Sequence, residues 1–348
     1  MSGRSTAIGW ENRTVANGGQ TVEQRPLGRT GRTISVIGLG CVTFGSEIDE
    51  EASYRVMDYA LEKGITFFDT AESYGGGQRR LRRKEALGID DVREVSGEMY
   101  SSERIVGDWM RTRGCRDEIT LCTKVSTGGT PENIAKALSA SLERLRTDHV
   151  DIYKMHSPDT STPIAETLSA LTAEVEAGRV GAIGGSNYSA AQLREALDAS
   201  ASAGSQRFEV LQPAYSLVRP EAEEKVFRLC RAEAIAVTPY SPLGAGFLTG
   251  KYTPDRSDIP YGTRLHMSPF HADMYFTDRN FRIVDRLRAK AAELGVPMVR
   301  LAMAWAMTHA DVTSTLIGAR TTDHIDNALQ AWKEGLDLEL RVEMSAWD

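Results

Sequence analysis

The chain has 348 residues, of which 41% are hydrophobic and 26% charged, and carries a net charge of −7. That supplies enough apolar surface for a large core, and the acidic balance gives no general attraction to a phosphate backbone, which argues against nucleic acid as a partner. Four cysteines without paired spacing argue against a disulfide framework or a zinc site and suit a reducing, cytoplasmic compartment, and no apolar run is long enough to span a membrane.

Residues 1–22 are polar and Gly-rich and read as a flexible tail ahead of a single domain, 23–348. From there short β-rich runs alternate with longer helical patterns. "ISVIGLG" (34–40) is followed by "EEASYRVMDYALEKG" (50–64), and "ITFFDT" (65–70) by "SERIVGDWMRTRG" (102–114). "EITLCTK" (118–124) precedes "PENIAKALSASLERLR" (131–146), and "VDIYKMH" (150–156) precedes "PIAETLSALTAEVEAG" (163–178). The later runs are "VGAIGGS" (180–186), "EVLQPAY" (209–215), "IAVTPYS" (235–241) and "TSTLIGA" (313–319), each leading into another helix-like stretch. Apolar residues recur at helical spacing, as in Ile134, Leu138, Leu142 and Leu145, and Pro131 and Pro163 stand where a first turn accepts proline. Strands alternating with helices imply parallel pairing, and eight such units imply a closed (β/α)8 TIM barrel. A doubly wound sheet is the rival, but "GLGCVTFG" (38–45) lacks the third glycine of a dinucleotide fingerprint.

Chemistry in such barrels gathers at the C-terminal ends of the strands. Those ends carry Asp69, Lys124 and His156, with Tyr74 on the loop after Asp69. Each has a plain structural reading: Asp69 caps a turn, Lys124 is a rim charge, Tyr74 packs in a loop, and His156 satisfies backbone groups. On neighbouring strands roughly 4.8 Å apart, they also share a common chemistry. A phenol with a reference pKa of roughly 10 is a weak acid, and a nearby ammonium is expected to lower that value. A carboxylate would hold the ammonium and an imidazole would orient a substrate oxygen. Tyr74 would then protonate a carbonyl while a nicotinamide cofactor supplied hydride. Lys154 stands two residues before His156, where a barrel interior wants apolar groups. It is expected to snorkel outward from a bent strand, with a Schiff-base lysine as the alternative.

The motifs "RPLGRTGRTISVIGLGCVTFG", "GITFFDTAESYGGG", "LCTKV", "SLERLRTDHVDIYKMHSPD", "AGRVGAIGGSNYS", "LQPAYSLV", "YSPLGAGFLTGKY" and "LIGARTTDHI" follow one another between residues 25 and 336. In that order they resemble the aldo-keto reductase superfamily. The resemblance implies a barrel with an N-terminal β-hairpin and long loops over its C-terminal face. It carries the family's catalytic tetrad onto Asp69, Tyr74, Lys124 and His156, and it implies an NADPH/NADP site. Ser186, Asn187 and Gln212 match positions that hold the nicotinamide carboxamide, and Tyr215 matches the ring stacked beneath it. Ser241, Leu243, Gly246, Leu248 and Lys251 match the pyrophosphate segment, with Arg264 a further partner for pyrophosphate or ribose. Gly318 and Arg320 begin the segment that grips the adenosine end, where a guanidinium favours a 2′-phosphate.

The sequence departs from the family in two places. His324, Asn327 and Ala328 stand where the family carries Gln, Glu and Asn; His324 and Asn327 are expected to contact the adenine and Ala328 is not. The larger departure is an insertion of about twenty residues between Tyr74 and Ser102, opening on the basic "RRLRRK" (79–84) and continuing through Asp90, Asp91 and Glu94. Two readings stay open: a solvated excursion with internal ion pairs, or a lid whose arginines contact a polar or anionic substrate. Deleting 79–98 is expected to change substrate preference more than NADPH affinity. A further long loop, 253–280, is expected to wall the cleft with Tyr261, Phe270, Tyr275 and Phe276. His266 and His271 lack a third ligand at useful spacing, so no metal is expected. The implied function is NADPH-dependent reduction of an aldehyde or ketone, with a small-molecule carbonyl as the partner and no membrane. The alternative is an NADPH-binding regulatory subunit with little turnover. Oligomeric state and substrate identity are not legible.

Overall fold

The computed structural model describes residues 22–348. Of the tail assigned to 1–22, only Val22 falls among the described residues, and its side chain is buried. A short antiparallel hairpin, β1 (Gln24–Pro26) and β2 (Thr33–Ser35), opens the fold. Eight parallel strands follow: β3 (Ile37–Gly40), β4 (Phe67–Asp69), β5 (Thr120–Val125), β6 (Val150–Met155), β7 (Val180–Ser186), β8 (Phe208–Gln212), β9 (Ala236–Val237) and β10 (Thr315–Gly318). From β3 to β9 each pairs with the next in chain order, and β10 returns to pair with β3. Pro239 cannot donate to a ladder, so β9 is short. The remaining seam is closed by Leu316 N–H donating to Pro239 O at 2.9 Å and Thr313 N–H donating to Val237 O at 2.8 Å. The result is a (β/α)8 barrel, as the alternation of sequence patterns predicts.

Side-chain alternation along each strand decides what lies inside. Phe67, Cys122, Ile152, Ala182, Val210, Ala236 and Leu316 point inward and meet Leu27 and Ile34 of the hairpin, which plugs the N-terminal end. Two residues further along the same strands come Asp69, Lys124, Lys154 and Gln212. The period of two therefore puts all four on the inner face, above the apolar plug. The alternate set, including Phe68, Leu121, Tyr153 and Leu211, faces the helical layer.

The helices obey local rules where the sequence supplies them. Thr130 caps Pro131–Leu145 by accepting from Asn133 N–H at 3.3 Å, and Ser189 with Gln192 forms a full capping box on Ala190–Ala203. Among the described residues, three helices of at least eight residues were not assigned from sequence: Leu338–Ser345, and two whose buried faces hide the period. Met298–Met307 is buried at every residue from Leu301 onward, so it shows no polar face to betray a helical period. Gly76–Leu87, within the insertion, is a helix whose inward face is formed by Gly76, Arg79 and Arg83 rather than by apolar residues. No helix of the described residues is long and apolar enough to cross a membrane.

Candidate active site

Asp69 ends β4 on the inner face and is met by two lysines. Lys124 Nζ donates to Oδ1 at 2.5 Å and Lys154 Nζ to Oδ2 at 3.2 Å, with all three side chains at most 2% exposed. The β5–β6 register sets Lys124 directly beside Lys154, which explains why one carboxylate serves both. Lys124 Nζ also donates to Thr70 O at 2.7 Å and reaches the Tyr74 hydroxyl at 3.3 Å. Lys154 completes its shell with Gln212 Oε1 at 3.1 Å and Thr238 Oγ1 at 3.4 Å, while Gln212 Nε2 donates to Asp69 Oδ1 at 3.3 Å. The outward-snorkelling Lys154 expected from sequence is thus corrected. β6 is not bent there, and an inward ammonium is tolerated because Asp69 and two neutral oxygens receive it.

The electrostatics follow from this packing. Burial would push the Asp69 carboxyl up, but Lys124 and Lys154 reverse that and hold it down to about 2. Burial likewise opposes charge on Lys124, yet Asp69 and Tyr74 outweigh it and the ammonium is held above its ordinary value. For Tyr74, burial wins: the phenol stands above its ordinary value, and Lys124 offsets only part of the rise. The expectation of a phenol made more acidic than usual is therefore corrected; the lysine limits a desolvation penalty instead of overriding it. Burial and then Lys124 push His156 down to about 3, so its imidazole is neutral near pH 7. Its Nδ1 lies 2.8 Å from Ser126 Oγ and 3.2 Å from Ser73 Oγ, and its ring stands edge-on to Tyr74 with centroids 5.5 Å apart. Glu72, buried beneath, fixes that serine by accepting from Ser126 N–H at 2.5 Å and from the Thr127 hydroxyl at 3.0 Å.

These groups open into a cleft of about 570 Å³ at the C-terminal face, which Asp69, Tyr74 and His156 line together with residues after β7 to β10. Ser186 Oγ donates to Gln212 O at 2.8 Å. Asn187, held at φ 63°, donates to His156 O at 2.9 Å, and its Oδ1 accepts from the Tyr240 hydroxyl at 2.8 Å. After β9, Ser241, Gly244, Ala245 and Gly246 all adopt positive φ (60, 56, 55 and 85°). Such a succession gathers N–H groups into an anion-accepting concavity, and among the described residues the amides of Leu243, Ala245 and Gly246 donate no backbone hydrogen bond. A Cβ on Gly246 would stand 3.3 Å from Lys251 Nζ, so glycine leaves room for that ammonium at the turn. Around it, Arg264 and Arg79 each donate to Glu47 Oε1 at 2.7 Å, and Arg320 lies 3.9 Å from Glu47 Oε2. Against burial, Arg264 and Arg79 hold Glu47 down to about 2. Cations outnumber the single acid here, so the donors present fit the phosphates of NADPH.

The tetrad residues Asp69, Tyr74, Lys124 and His156 come together as expected. Ser186, Asn187, Gln212, Ser241, Leu243, Gly246, Lys251, Arg264, Gly318, Arg320, His324 and Asn327 all line the cleft. Two expected cofactor residues do not. Tyr215 lies beyond the end of β8 and turns outward, its ring stacked on Trp305 at 4.9 Å and its hydroxyl bonded to Glu223 and Arg341. Leu248 sits in a 3-10 turn that buries its side chain in the core and spends its N–H on Leu243 O. Of the four aromatic walls expected from loop 253–280, Tyr275 alone lines the cleft; Tyr261 is exposed beside His266, and Phe276 packs on Phe247 and Phe281. Tyr240, Glu47 and Arg219 are cleft residues that sequence reasoning missed, while Arg82 belongs to the basic run 79–84 that it singled out. Only Tyr240 had a signal, since it opens the glycine-rich "YSPLGAG" segment directly.

The Aldo/keto reductase family model matches residues 36–340. An uncharacterized oxidoreductase YrpG of Bacillus subtilis (strain 168) is 32% identical, over 92% of this chain and 94% of its own. A probable voltage-gated potassium channel subunit beta of Arabidopsis thaliana is 31% identical, over 89% of this chain and 91% of its own. Aldo-keto reductase yakc [NADP(+)] of Schizosaccharomyces pombe is 30% identical, over 86% of this chain and 84% of its own.

Proposed function

The chain belongs to the aldo/keto reductase family and is an NAD(P)H-dependent oxidoreductase, and we propose that it reduces an aldehyde or ketone to the alcohol with Tyr74 as proton donor. NADPH, when bound, supplies the hydride for the carbonyl carbon. Ser186, Asn187 and Gln212 would hold its amide end with Tyr240 beside them. The 241–246 turn, Lys251 and Arg264 would take the pyrophosphate, Arg320 the 2′-phosphate, and His324 with Asn327 the adenine.

The chain's own residues act on the substrate oxygen. A phenol with a reference pKa of about 10, raised further in Tyr74 by burial, is protonated at neutral pH, so the donor is loaded before the substrate arrives. As the oxygen gathers negative charge, Tyr74 passes its proton across. The Lys124 ammonium, in contact with the hydroxyl, stabilises the phenolate left behind. Asp69 and the Thr70 carbonyl keep that ammonium in place. A hydroxyl donating from Ser126 or Ser73 to His156 Nδ1 leaves the ring proton on Nε2, where it can donate to the carbonyl oxygen and orient it.

The observation that carries this reading is a single lysine touching both a buried carboxylate and a tyrosine hydroxyl at the mouth of the cleft. NADPH consumption against a broad panel of aldehydes and ketones tests it. Turnover of members of the panel is expected. Tight NADPH binding with no turnover of any carbonyl would favour the regulatory-subunit role instead.

A further inference from the structure

The helix Gly76–Leu87 carries five basic side chains, and acids neutralise four of them. Arg79 pairs with Glu47, Arg80 and Lys84 with Asp90, and Arg83 with Asp91 and Glu94. Arg82 is the fifth. It forms no ion pair or hydrogen bond among the described residues, and it lines the cleft with Tyr74 and His156. Arg219, on the loop after β8, lines the same cleft. Its guanidinium contacts Met274 Sδ at 2.7 Å and no carboxylate among the described residues.

The fields of these two arginines fall on the reacting end. After burial and closer charges, Arg82 helps push both His156 and His271 down to about 3, and Arg219 opposes the burial-driven rise of Tyr240. The field of Arg264 also reaches Tyr74 and His271, but it and Arg320 already face the Glu47 carboxylate, whereas Arg82 and Arg219 face none among the described residues. Two guanidinium groups without a carboxylate partner among the described residues, facing a cleft in a chain of net charge −7, are matched to an anion that arrives from outside. A planar guanidinium binds carboxylate and phosphate oxygens alike, by paired charge-assisted hydrogen bonds.

Resting on the carbonyl-reductase reading above, we propose that the substrate is an aldehyde or ketone bearing a carboxylate or phosphate, which Arg82 and Arg219 recognise. The insertion that supplies Arg82 is then a specificity element braced by its other four cations.

The test uses two matched pairs with the full chain and NADPH: 4-carboxybenzaldehyde against 4-methylbenzaldehyde, and glyceraldehyde 3-phosphate against glyceraldehyde. The charged member of at least one pair is expected to have a kcat/KM about tenfold or more above its neutral partner, chiefly through KM, and the pair that shows it identifies the anion. Arg82→Gln and Arg219→Gln should each lower that ratio by about tenfold, whereas Arg80→Gln, altered on the same helix but paired with Asp90, should keep it. The urea midpoint of each variant reports whether it is folded, and NADPH titration whether its cofactor site is intact. Equal turnover within both pairs in the unaltered protein overturns the proposal while leaving the reductase reading intact. A ratio preserved in the Arg82 and Arg219 variants alongside weakened NADPH binding also overturns it, by assigning the arginines to the cofactor. No turnover of any of the four compounds removes the reductase reading and this proposal with it.

Discussion

Asp69 is the residue on which the buried charge of the barrel balances. It faces two ammonium groups, so removing its charge strands both in a site with almost no access to water. Asp69→Asn is predicted to lose about 3–5 kcal/mol of stability, read as a fall in the urea midpoint, whereas Lys154→Met, which keeps the Lys124 pair, should lose less. An unchanged midpoint in Asp69→Asn would contradict the arrangement. Arg320 supplies a second residue-level prediction: Arg320→Leu should raise the Kd for NADPH by about tenfold or more and leave NADH little changed. Equal weakening of both would remove the 2′-phosphate assignment. At this scale the sequence was readable where a strand end met a period of two, as at Asp69, Lys124 and His156. It was not readable where the deciding partner is remote. Lys154 looks out of place until Asp69, 85 residues away, is seen beside it. Tyr215 and Tyr240 both follow a proline near a strand end, and only the direction in which each turn leaves the sheet sorts the outward ring from the cleft ring.

The insertion is the element that the sequence left most open, because its opening helix draws its buried face from arginine and glycine and so carries no apolar stripe. Of the two readings offered from sequence, the internal ion pairs are present, and a lid that contacts substrate is the proposal made above. Internal ion pairs brace it, chiefly the fully buried Arg83 with Glu94, and one arginine reaches the cleft. Arg83 also donates to Met267 O at 3.1 Å, and Arg93 to His266 O, which ties the insertion to loop 253–280. Glu94→Gln is predicted to speed hydrogen exchange across 76–100 while the barrel strands keep their protection; uniform protection in both would mean that the pair does not hold the element. The expectation that deleting 79–98 changes substrate preference more than NADPH affinity is revised as well. Arg79 shares Glu47 with Arg264, so deletion should weaken NADPH binding together with altering substrate preference.

At the scale of the molecule, the site's titrating groups set an acid limit on stability. His156 and His271 fall from an ordinary 6.5 to about 3, chiefly through burial, and Asp69 and Glu47 are held at about 2 against 3.8 and 4.5. In each case the unfolded chain binds protons more readily than the folded one, so stability is lost as pH falls. The urea midpoint is predicted to decline from about pH 6.5 through the histidine window and further from about pH 4.5 toward 2, where the carboxylates protonate. A midpoint constant from pH 6.5 to 4 would contradict it. The barrel itself was legible because eight strand-helix alternations admit few other closures, and at the proposed phosphate end only Glu47 escaped notice, since it meets Arg264 across 217 residues. Every layer of this fold converges on one buried phenol touching one charged lysine. The most direct test compares Tyr74→Phe with the unaltered protein, measuring NADPH affinity by titration and turnover of a reducible carbonyl by NADPH oxidation. The account predicts NADPH binding within about threefold of the unaltered chain and a kcat lower by about a hundredfold or more. A kcat retained within about tenfold, with binding intact, would contradict the assignment of Tyr74 as the proton donor.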